Sequence, residues 1–249
     1  MKISIIIPTC NEEKFIKKLV HYLNGIDTFG FSREIIVVDA MSADRTVNVA
    51  KEAGAIVLQS KLRARAVQFN LGAEAAAGDV YYFLHADTFP PASLFEDLQK
   101  AIDEGFEAGC YQLSFDDSHW FLKFNAWFSR FNCNAFRYGD QSLFVTKPAF
   151  QHIMGYDQEL KILEDNEIIT RLKKQVKFKL LNKVVVTSSR KYMKNGVFRL
   201  QFSYYLIYFL YKLGGSQDFL LKTYRFLVGK SWCCPIGIAF GFFAKFSWV

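Results

Sequence analysis

The chain has 249 residues, of which 51% are apolar and 22% charged, and it carries a formal net charge of +7. This balance excludes a disordered protein, and the length allows one large domain or one domain with an appendage. A basic chain suits a polyanion, an anionic membrane or a phosphorylated small molecule. Because the basic residues are dispersed and no nucleic-acid-binding motif is present, we expect no nucleic acid partner.

The cysteines and the N-terminus both favour a cytoplasmic protein. The number of cysteines is odd, and their spacing matches neither a disulfide framework nor a metal site. They are Cys10, Cys110, Cys133, Cys233 and Cys234. Lys2 is followed by only five apolar or small residues before Pro8, which is too short for a signal peptide.

Strand and helix patterns alternate over the first 84 residues. Buried strands are predicted at 3–7, 34–39, 55–59 and 80–84. Between them, the patterns predict a helix with apolar residues from 15 to 23, a helix that includes 47–50 and ends at Gly54, and an alanine-rich helix within 61–78. Pro8 is expected to end the first strand, and Thr9 or Asn11 to cap the next helix. A βαβαβαβ series predicts a mostly parallel sheet with helices on both faces.

The second half is less regular and rich in aromatic residues. A helix is predicted at 92–104, an antiparallel or edge strand at 110–115, an aromatic helix at 120–131 and a strand at 142–146. A helix from 163 to 172 follows, then two short strands at 178–181 and 184–187, and helices at 198–213 and 219–228. We therefore expect a catalytic domain over 1–190 and a helical, aromatic-rich extension over 191–249.

The last stretch, 232–249, is almost entirely apolar. A membrane span needs about 20 apolar residues, so the length is borderline. A span, an interfacial segment and a packed segment all stay open, and the length favours the latter two.

Polar residues follow several of the predicted strands. Asp39 ends the second strand, and His85, Ala86 and Asp87 follow the fourth. Ligands of open α/β sheets bind at the carboxyl ends of the strands. A carboxylate such as Asp87 suits Mn²⁺ or Mg²⁺, which bridge to substrate phosphates. The alternative is that Asp87 only starts a turn or caps the next helix.

Five segments together resemble a known family. IIIPTCNEE, VVDAMSADRT, FLHADT, YGDQSLFV and LEDNEIITRL occur in the order and spacing of family 2 glycosyltransferases, which have the GT-A fold, a Rossmann-like mixed α/β sheet. With LRARAVQFNLGA and TSSRKYMKNG added, the chain is most similar to the small bacterial branch labelled selenodomain-associated transferases. The resemblance covers residues 1–229.

The resemblance implies a role for each matching residue. Residues that would bind the nucleotide are Pro8, Thr9, Asn11, Glu12, Asp39, Ala86 and Asp87. Asp87 would also hold the divalent cation, Mn²⁺ or Mg²⁺, and Asp165, beside Glu164, would be the general base of an inverting displacement. The acids at 164 and 165 could instead be only a favourable helix start, and Asp39 only a helix cap.

Two departures from the family pattern concern the donor side. His85 stands where many relatives have the first Asp of the metal-binding motif, which leaves Asp87 as the one carboxylate and His85 as the weaker candidate ligand for the metal. Phe69 stands where most relatives have an arginine, so we expect Arg63 or Arg65 to contact the phosphates, with a solvated helix surface as the alternative.

Other motif positions carry weaker expectations. Gly139, Asp140 and Gln141 would contact the acceptor or the sugar, or form an ordinary turn. Ala40 and Met41 replace a turn that usually contains glycine. Exposed charge is favoured over a diphosphate contact for Arg190 and Lys191.

Together these expectations describe an inverting, metal-assisted transferase that moves a sugar from a UDP- or GDP-linked donor to an acceptor hydroxyl. The aromatic second half suggests a lipid-linked acceptor and peripheral contact with the inner face of the cell membrane. Two alternatives stay open. One is a nucleotidyltransferase, although PTCNEE lacks the glycine-rich phosphate loop; the other is an inactive nucleotide-sugar-binding or scaffold protein.

Overall fold

The computed structural model describes residues 1–137 and 139–229. Its strands are β1 (Lys2–Thr9), β2 (Ser32–Asp39), β3 (Ile56–Gln59), β4 (Val80–Phe83), β5 (Thr88–Phe89), β6 (Ala108–Phe115), β7 (Leu143–Thr146) and β8 (Phe178–Thr187). Its helices are α1 (Glu13–Gly25), α2 (Thr46–Glu52), α3 (Arg65–Ala75), α4 (Leu94–Asp103), α5 (Trp120–Trp127), α6 (Lys147–His152), α7 (Glu164–Gln175), α8 (Arg190–Asn195), α9 (Val197–Lys212) and α10 (Gln217–Val228).

The strands form one mixed sheet in the order β3-β2-β1-β4-β7-β6-β8-β5. The first four strands of the predicted series, β1 to β4, pair in parallel, whereas β7 runs antiparallel to both β4 and β6. The prediction of a mixed, mostly parallel sheet is therefore confirmed. In β1 and β2, Thr9 lies opposite Asp39, so both strands end at the same edge of the sheet.

Helices cover both faces of the sheet, as predicted. Alternate residues of β1 point to opposite faces, so Ile5 packs with α1 and α4 while Ile6 packs with α3 and α7. Helix α1 buries Ile16, Leu19, Val20 and Leu23, whose spacing of three and four places them on one side. The sheet is thus buried on both sides, as the continuous apolar runs indicate.

Three local expectations were wrong. Strand β1 runs through Pro8 to Thr9 instead of ending at Pro8. Because β4 pairs with β1 only as far as Ile6, the sheet needs no N–H from Pro8 for a hydrogen bond to β4. Helix α1 begins after Glu12 with no side-chain cap from Thr9 or Asn11. The two short strands expected at 178–187 are the single strand β8.

Strand β6, predicted to be an antiparallel or edge strand, is antiparallel to β7 and lies inside the sheet rather than at its edge. It pairs with β7 on one side and with β8 on the other, with a register shift opposite β8 between Tyr111 and Gln112.

Asn70 of α3 holds the turn before α7, since its side chain donates to the Tyr156 carbonyl at 2.8 Å and accepts from the Tyr156 N–H at 2.9 Å.

The C-terminal helices form a third core against α5. Leu122 of α5 packs with Leu200, Ile207, Leu220 and Tyr224 of α9 and α10. In the part of the chain that the structure describes, no helix combines the length and the apolar character needed to cross a membrane. The stretch 232–249 lies outside the described residues.

Candidate active site

The loops after β1 and β2 are joined by hydrogen bonds at the carboxyl edge of the sheet. Asn11 donates its N–H to Ser42 Oγ at 2.8 Å and accepts from the Ala43 N–H at 2.8 Å. Asp39, 1% exposed, accepts from Thr9 Oγ1 at 3.1 Å and from the Ser42 N–H at 2.9 Å. The carboxylate of Asp39 therefore organises these loops, and its contact with a base or ribose stays a prediction.

A cavity of about 270 Å³ opens beside these loops, and we call it the donor cavity because residues predicted to bind the nucleotide line it. It brings together six of the residues predicted to bind the nucleotide, namely Pro8, Asn11, Glu12, Arg65, Ala86 and Asp87, and it is also lined by His85. Thr9 and Asp39 are buried and do not line this cavity. Arg63 does not line this cavity and instead donates to the Met41 carbonyl at 2.8 Å. Of the two arginines considered, the structure thus brings Arg65 to the cavity.

Arg190 joins two acids of the donor cavity. Its Nη2 lies 2.6 Å from Glu12 Oε1 and 2.9 Å from Asp87 Oδ2, and its Nε lies 3.1 Å from the same Asp87 oxygen. The guanidinium carbon lies 4.4 Å from the centre of the Phe15 ring. The expectation of simple exposed charge for Arg190 was wrong, because the fold places it between acids that are distant in sequence.

His85 lies between two acids on the other side. Its Nδ1 is 2.9 Å from Asp140 Oδ1 and its Nε2 is 3.7 Å from Asp165 Oδ2. Burial lowers the pKa of His85, but Asp140 and Asp165 outweigh it and raise that pKa above the ordinary value. Burial likewise opposes ionisation of Asp140, but His85 lowers the Asp140 pKa to about 2. His85 is therefore hydrogen-bonded to Asp140, while its Nε2 lies at ion-pair distance from Asp165 and makes no hydrogen bond to any described residue.

Glu164 and Asp165, at the start of α7, face Arg65. Glu164 is 3% exposed, and its Oε1 lies 2.5 Å from Arg65 Nε. Burial raises the Glu164 pKa, with Arg65 acting in the opposite direction. Asp165 Oδ2 lies 4.0 Å from Arg65 Nη1, and the Asp165 side chain is 13% exposed. Asp165 is thus the more accessible acid, and Glu164 fixes Arg65 beside it.

Gly139 is needed for this arrangement. A Cβ at position 139 would lie 2.0 Å from Asp165 Oδ2 and 2.8 Å from His85 Cε1, closer than real atoms approach. The backbone at 139 therefore presses directly on the acids, which explains a glycine in this motif.

These groups line a second cavity of about 130 Å³, which we call the acceptor cavity because the predicted base Asp165 and the predicted acceptor residues Gly139 and Asp140 line it. Its polar wall includes His85, Gly139, Asp140 and Asp165, and its apolar wall comes partly from the C-terminal helices. Residues of that apolar wall are Leu113, Phe115, Ile162, Tyr192, Tyr204 and Ile207. Four residues line both cavities, namely Arg65, His85, Lys191 and Tyr224. The two cavities therefore meet at His85 and Arg65.

The sequence model of the family described as Glycosyl transferase family 2 matches residues 4–161. The chain belongs to this family. A dolichol-phosphate mannosyltransferase of Pyrococcus furiosus is 32% identical over 110 residues, which are 42% of this chain and 31% of that protein. The TarS poly(ribitol-phosphate) β-N-acetylglucosaminyltransferase of Staphylococcus aureus is 28% identical over 115 residues, 42% of this chain and 19% of that protein. The chain thus aligns with less than a third of the length of either relative.

Solved glycosyltransferase structures share the fold. The mannosyltransferase PcManGT of Pyrobaculum calidifontis, in complex with GDP-Man and Mn²⁺, matches with a TM-score of 0.67 and 15% identity over 90% of this chain and 69% of that one. S. aureus TarS in complex with UDP matches with a TM-score of 0.61 and 17% identity over 76% of this chain and 60% of that one. The predicted family and the predicted GT-A fold are both confirmed. Membership of this family speaks against the alternative of a nucleotidyltransferase.

The divalent cation expected for such a family 2 protein does not fit the side chains at this site. Among the residues that the structure describes, no three or more His, Cys, Asp or Glu side chains are grouped to hold a metal ion. Asp87 is the one acid of the expected motif, and its Oδ2 already accepts a hydrogen bond from Arg190 Nε and forms an ion pair with Arg190 Nη2. The nitrogens of His85 face Asp140 and Asp165 rather than Asp87.

Gln141 is the member of the 139–141 motif that the structure keeps away from both cavities. It is completely buried, and its Oε1 accepts from Arg137 Nη1 at 3.3 Å. Arg137 also donates to the Ser129 carbonyl at 2.8 Å, so these two side chains fasten the loop that carries Gly139 and Asp140. Contact of Gln141 with acceptor or sugar stays a prediction.

Proposed function

We propose that this protein transfers a sugar from a UDP- or GDP-linked donor to an acceptor hydroxyl by a single inverting displacement. The observation that carries the proposal is the meeting of two cavities at His85 and Arg65. One cavity holds cations suited to a diphosphate, and the other holds a carboxylate suited to a hydroxyl. Neighbours of the same fold bind UDP, UDP-GlcNAc and GDP-Man, so both bases are kept for the donor.

On the acceptor side, Asp165 is the proposed general base. Its carboxylate is held by Gly139, Arg65 and His85 and faces the acceptor cavity. As the acceptor oxygen forms a bond to the anomeric carbon, its proton moves to Asp165. Glu164 does not face this cavity and acts as a positioning residue through Arg65.

On the donor side, the bond between the anomeric carbon and the diphosphate oxygen breaks, and its electron pair stays on the nucleotide diphosphate. Cationic side chains of the donor cavity stabilise that charge. Glu12 Oε2 is buried and has no hydrogen-bond partner among the described residues, so a ligand hydroxyl could donate to it. We propose the ribose of the donor as the source of that hydroxyl.

We further propose that the acceptor is lipid-linked and that the protein contacts the inner face of the cell membrane. Exposed rings of α5 and α9 form an aromatic face, which consists of Trp120, Phe124, Trp127, Phe198, Phe202 and Phe209. The two helices meet there, since the Trp120 and Phe198 rings lie 6.1 Å apart. Lys123 and Lys212 on the same helices are exposed, which suits an acidic lipid surface.

Flotation with phosphatidylglycerol vesicles tests the membrane contact. We expect the wild-type protein to float and the double variant Phe202→Ser, Phe209→Ser to stay largely in solution. Ile56→Ser is the matched control, because Ile56 is a half-exposed apolar residue on the distant strand β3. Equal flotation of the double variant and the wild type would contradict the proposal.

Nucleotide binding and donor turnover test the enzyme proposal. Calorimetry with UDP, GDP and their sugars should show binding, and release of free nucleotide with water as acceptor should show turnover. Asp165→Asn should keep binding and lose turnover by about 100-fold or more. Asp103→Asn, at an exposed site in α4, is the matched control and should change neither. Binding without turnover in the wild-type protein would favour an inactive nucleotide-sugar-binding protein, and no binding of any nucleotide would refute the proposal.

A further inference from the structure

Positive charge in the donor cavity comes from the protein itself. Four cationic side chains line it, namely Arg65, Arg190, Lys191 and Lys194, against the two acids Glu12 and Asp87. Arg65 is committed to Glu164 on the acceptor side. The remaining three cations all belong to the short helix α8, and they outnumber the two acids of the cavity. Such a cavity attracts a diphosphate without any further cation.

Arg190 occupies Oδ2 of Asp87, one of the two oxygens with which this carboxylate would bind a divalent cation. Both its Nε and its Nη2 lie within 3.1 Å of Asp87 Oδ2, and the same Nη2 reaches Glu12. Mg²⁺ and Mn²⁺ in nucleotide sites bind one or two carboxylates together with the phosphates. A cation on Asp87 Oδ2 would therefore have to displace Arg190. His85 faces other acids and offers no second ligand.

On the basis of the function proposed above, we propose that Arg190, aided by Lys191, takes the place of the divalent cation on the donor diphosphate. The guanidinium has five N–H donors in a plane and can bind two phosphate oxygens at once while staying charged. Asp87 and Glu12 then hold the guanidinium in place, and Phe15 supports its face. As the bond to the anomeric carbon breaks, the electron pair left on the β-phosphate oxygen is stabilised by Arg190.

The proposal makes nucleotide binding independent of metal and dependent on Arg190. The test is calorimetric titration of UDP and GDP into the full chain, once with EDTA and once with excess MnCl₂. We expect the wild-type affinity to change by less than about threefold between the two conditions. Arg190→Gln should lose on the order of ten- to a hundredfold in EDTA, the usual effect of removing a charged hydrogen bond. Mn²⁺ should restore much of that loss, because Asp87 is then released.

Two further variants separate the role of Arg190 from general effects. Arg190→Lys keeps the charge but not the paired donors, so its nucleotide affinity in EDTA should lie between those of the wild type and of Arg190→Gln. This variant also keeps the test valid if Arg190→Gln fails to fold. Arg130→Gln is the control, because Arg130 is exposed and lines neither cavity.

Three results would overturn the proposal. The first is wild-type binding that falls more than about tenfold on chelation and returns with Mn²⁺, which would restore the metal role and leave the proposed glycosyl transfer intact. The second is a folded Arg190→Gln protein with wild-type affinity in EDTA. The third is no nucleotide binding by the wild-type protein in either condition, which would refute the glycosyltransferase proposal as well.

Discussion

Replacing Gly139 with alanine tests whether the position of Asp165 controls turnover. The added Cβ would lie 2.0 Å from Asp165 Oδ2 and 2.5 Å from its Cγ. The carboxylate would have to move by roughly 1.4 Å to reach an ordinary van der Waals distance. A misplacement of about 1 Å in a catalytic group can cost about 100-fold in rate. We therefore expect the turnover number for donor hydrolysis to fall about 100-fold.

The same variant should leave nucleotide binding intact. Gly139 lines the acceptor cavity and not the donor cavity, so the dissociation constant for UDP or GDP should change by less than about twofold. Crowding of this kind costs about 1–3 kcal/mol of stability, which thermal unfolding would show. Gly25→Ala is the control, because a Cβ at position 25 would meet no atom within 4 Å.

Two outcomes would refute this reasoning. One is a Gly139→Ala protein that keeps its turnover number within about threefold of the wild-type value. The other concerns the double variant with Asp165→Asn. If Gly139 acts through Asp165, the double variant should be no slower than Asp165→Asn alone, and additive losses would show that Gly139 acts elsewhere.

Three further predictions concern stability. Met41 has a left-handed backbone with φ of 54°, so Met41→Gly should stabilise the protein by about 0.5 kcal/mol in urea unfolding, whereas Met193→Gly in helix α8 should destabilise it by about 1 kcal/mol. Asn70→Ala leaves the buried N–H and carbonyl of Tyr156 without their hydrogen-bond partner and should lower the free energy of unfolding by about 3 kcal/mol, with nucleotide affinity unchanged. Asp140→Asn should lower the free energy of unfolding by about 1 kcal/mol near pH 5, because it removes the ion pair with His85. This is less than the lowered pKa of Asp140 alone implies, because Asp140 is 39% exposed and solvent screens the pair. The loss of stability should vanish in acid, as pH falls from 3.8 towards the Asp140 pKa of about 2 and the carboxylate takes up a proton. It should also vanish in base, as pH rises through the raised pKa of His85 and the imidazole loses its charge. An equal loss of stability at pH 2, 5 and 10 would contradict the ion pair.

The order and type of most secondary-structure elements could be predicted because burial dictates them. The apolar runs in β1, β2 and β4 lie in a sheet covered on both faces, and the spacing in α1 is that of a helix with one buried side. The two strands predicted at 178–181 and 184–187 leave out Asn182 and Lys183, which lie within the single strand β8. Both are exposed in the folded chain, and Lys183 reaches Asp97 across the surface, so a polar pair within a strand needs no turn.

Site residues were predictable only as far as strand ends and motifs mark them. The edge of the sheet holds Glu12 and Asp87 as expected, since parallel strands end together. The partner of these acids, Arg190, follows Asp87 by 103 positions and has no local signal beyond a basic pair after a strand. Similarly, the need for glycine at 139 depends on an acid that is distant in sequence. Contacts of this kind follow from the packing of α7 and α8 on the sheet, which no short pattern encodes.

The histidine at position 85 connects the two halves of the site. An acid there would repel Asp140 and Asp165, whereas the imidazole lies 2.9 Å and 3.7 Å from them and balances their charge. This placement turns the side chain away from Asp87, and Arg190 then balances Asp87 and Glu12. A change of residue 85 should therefore act on both cavities. We expect His85→Asp to lower donor hydrolysis through the repelled base and also to make nucleotide binding respond to Mn²⁺, since a second carboxylate would then stand near Asp87. Calorimetry with and without EDTA checks the second effect, and nucleotide binding that stays indifferent to Mn²⁺ in a folded His85→Asp protein would contradict the link between the two cavities.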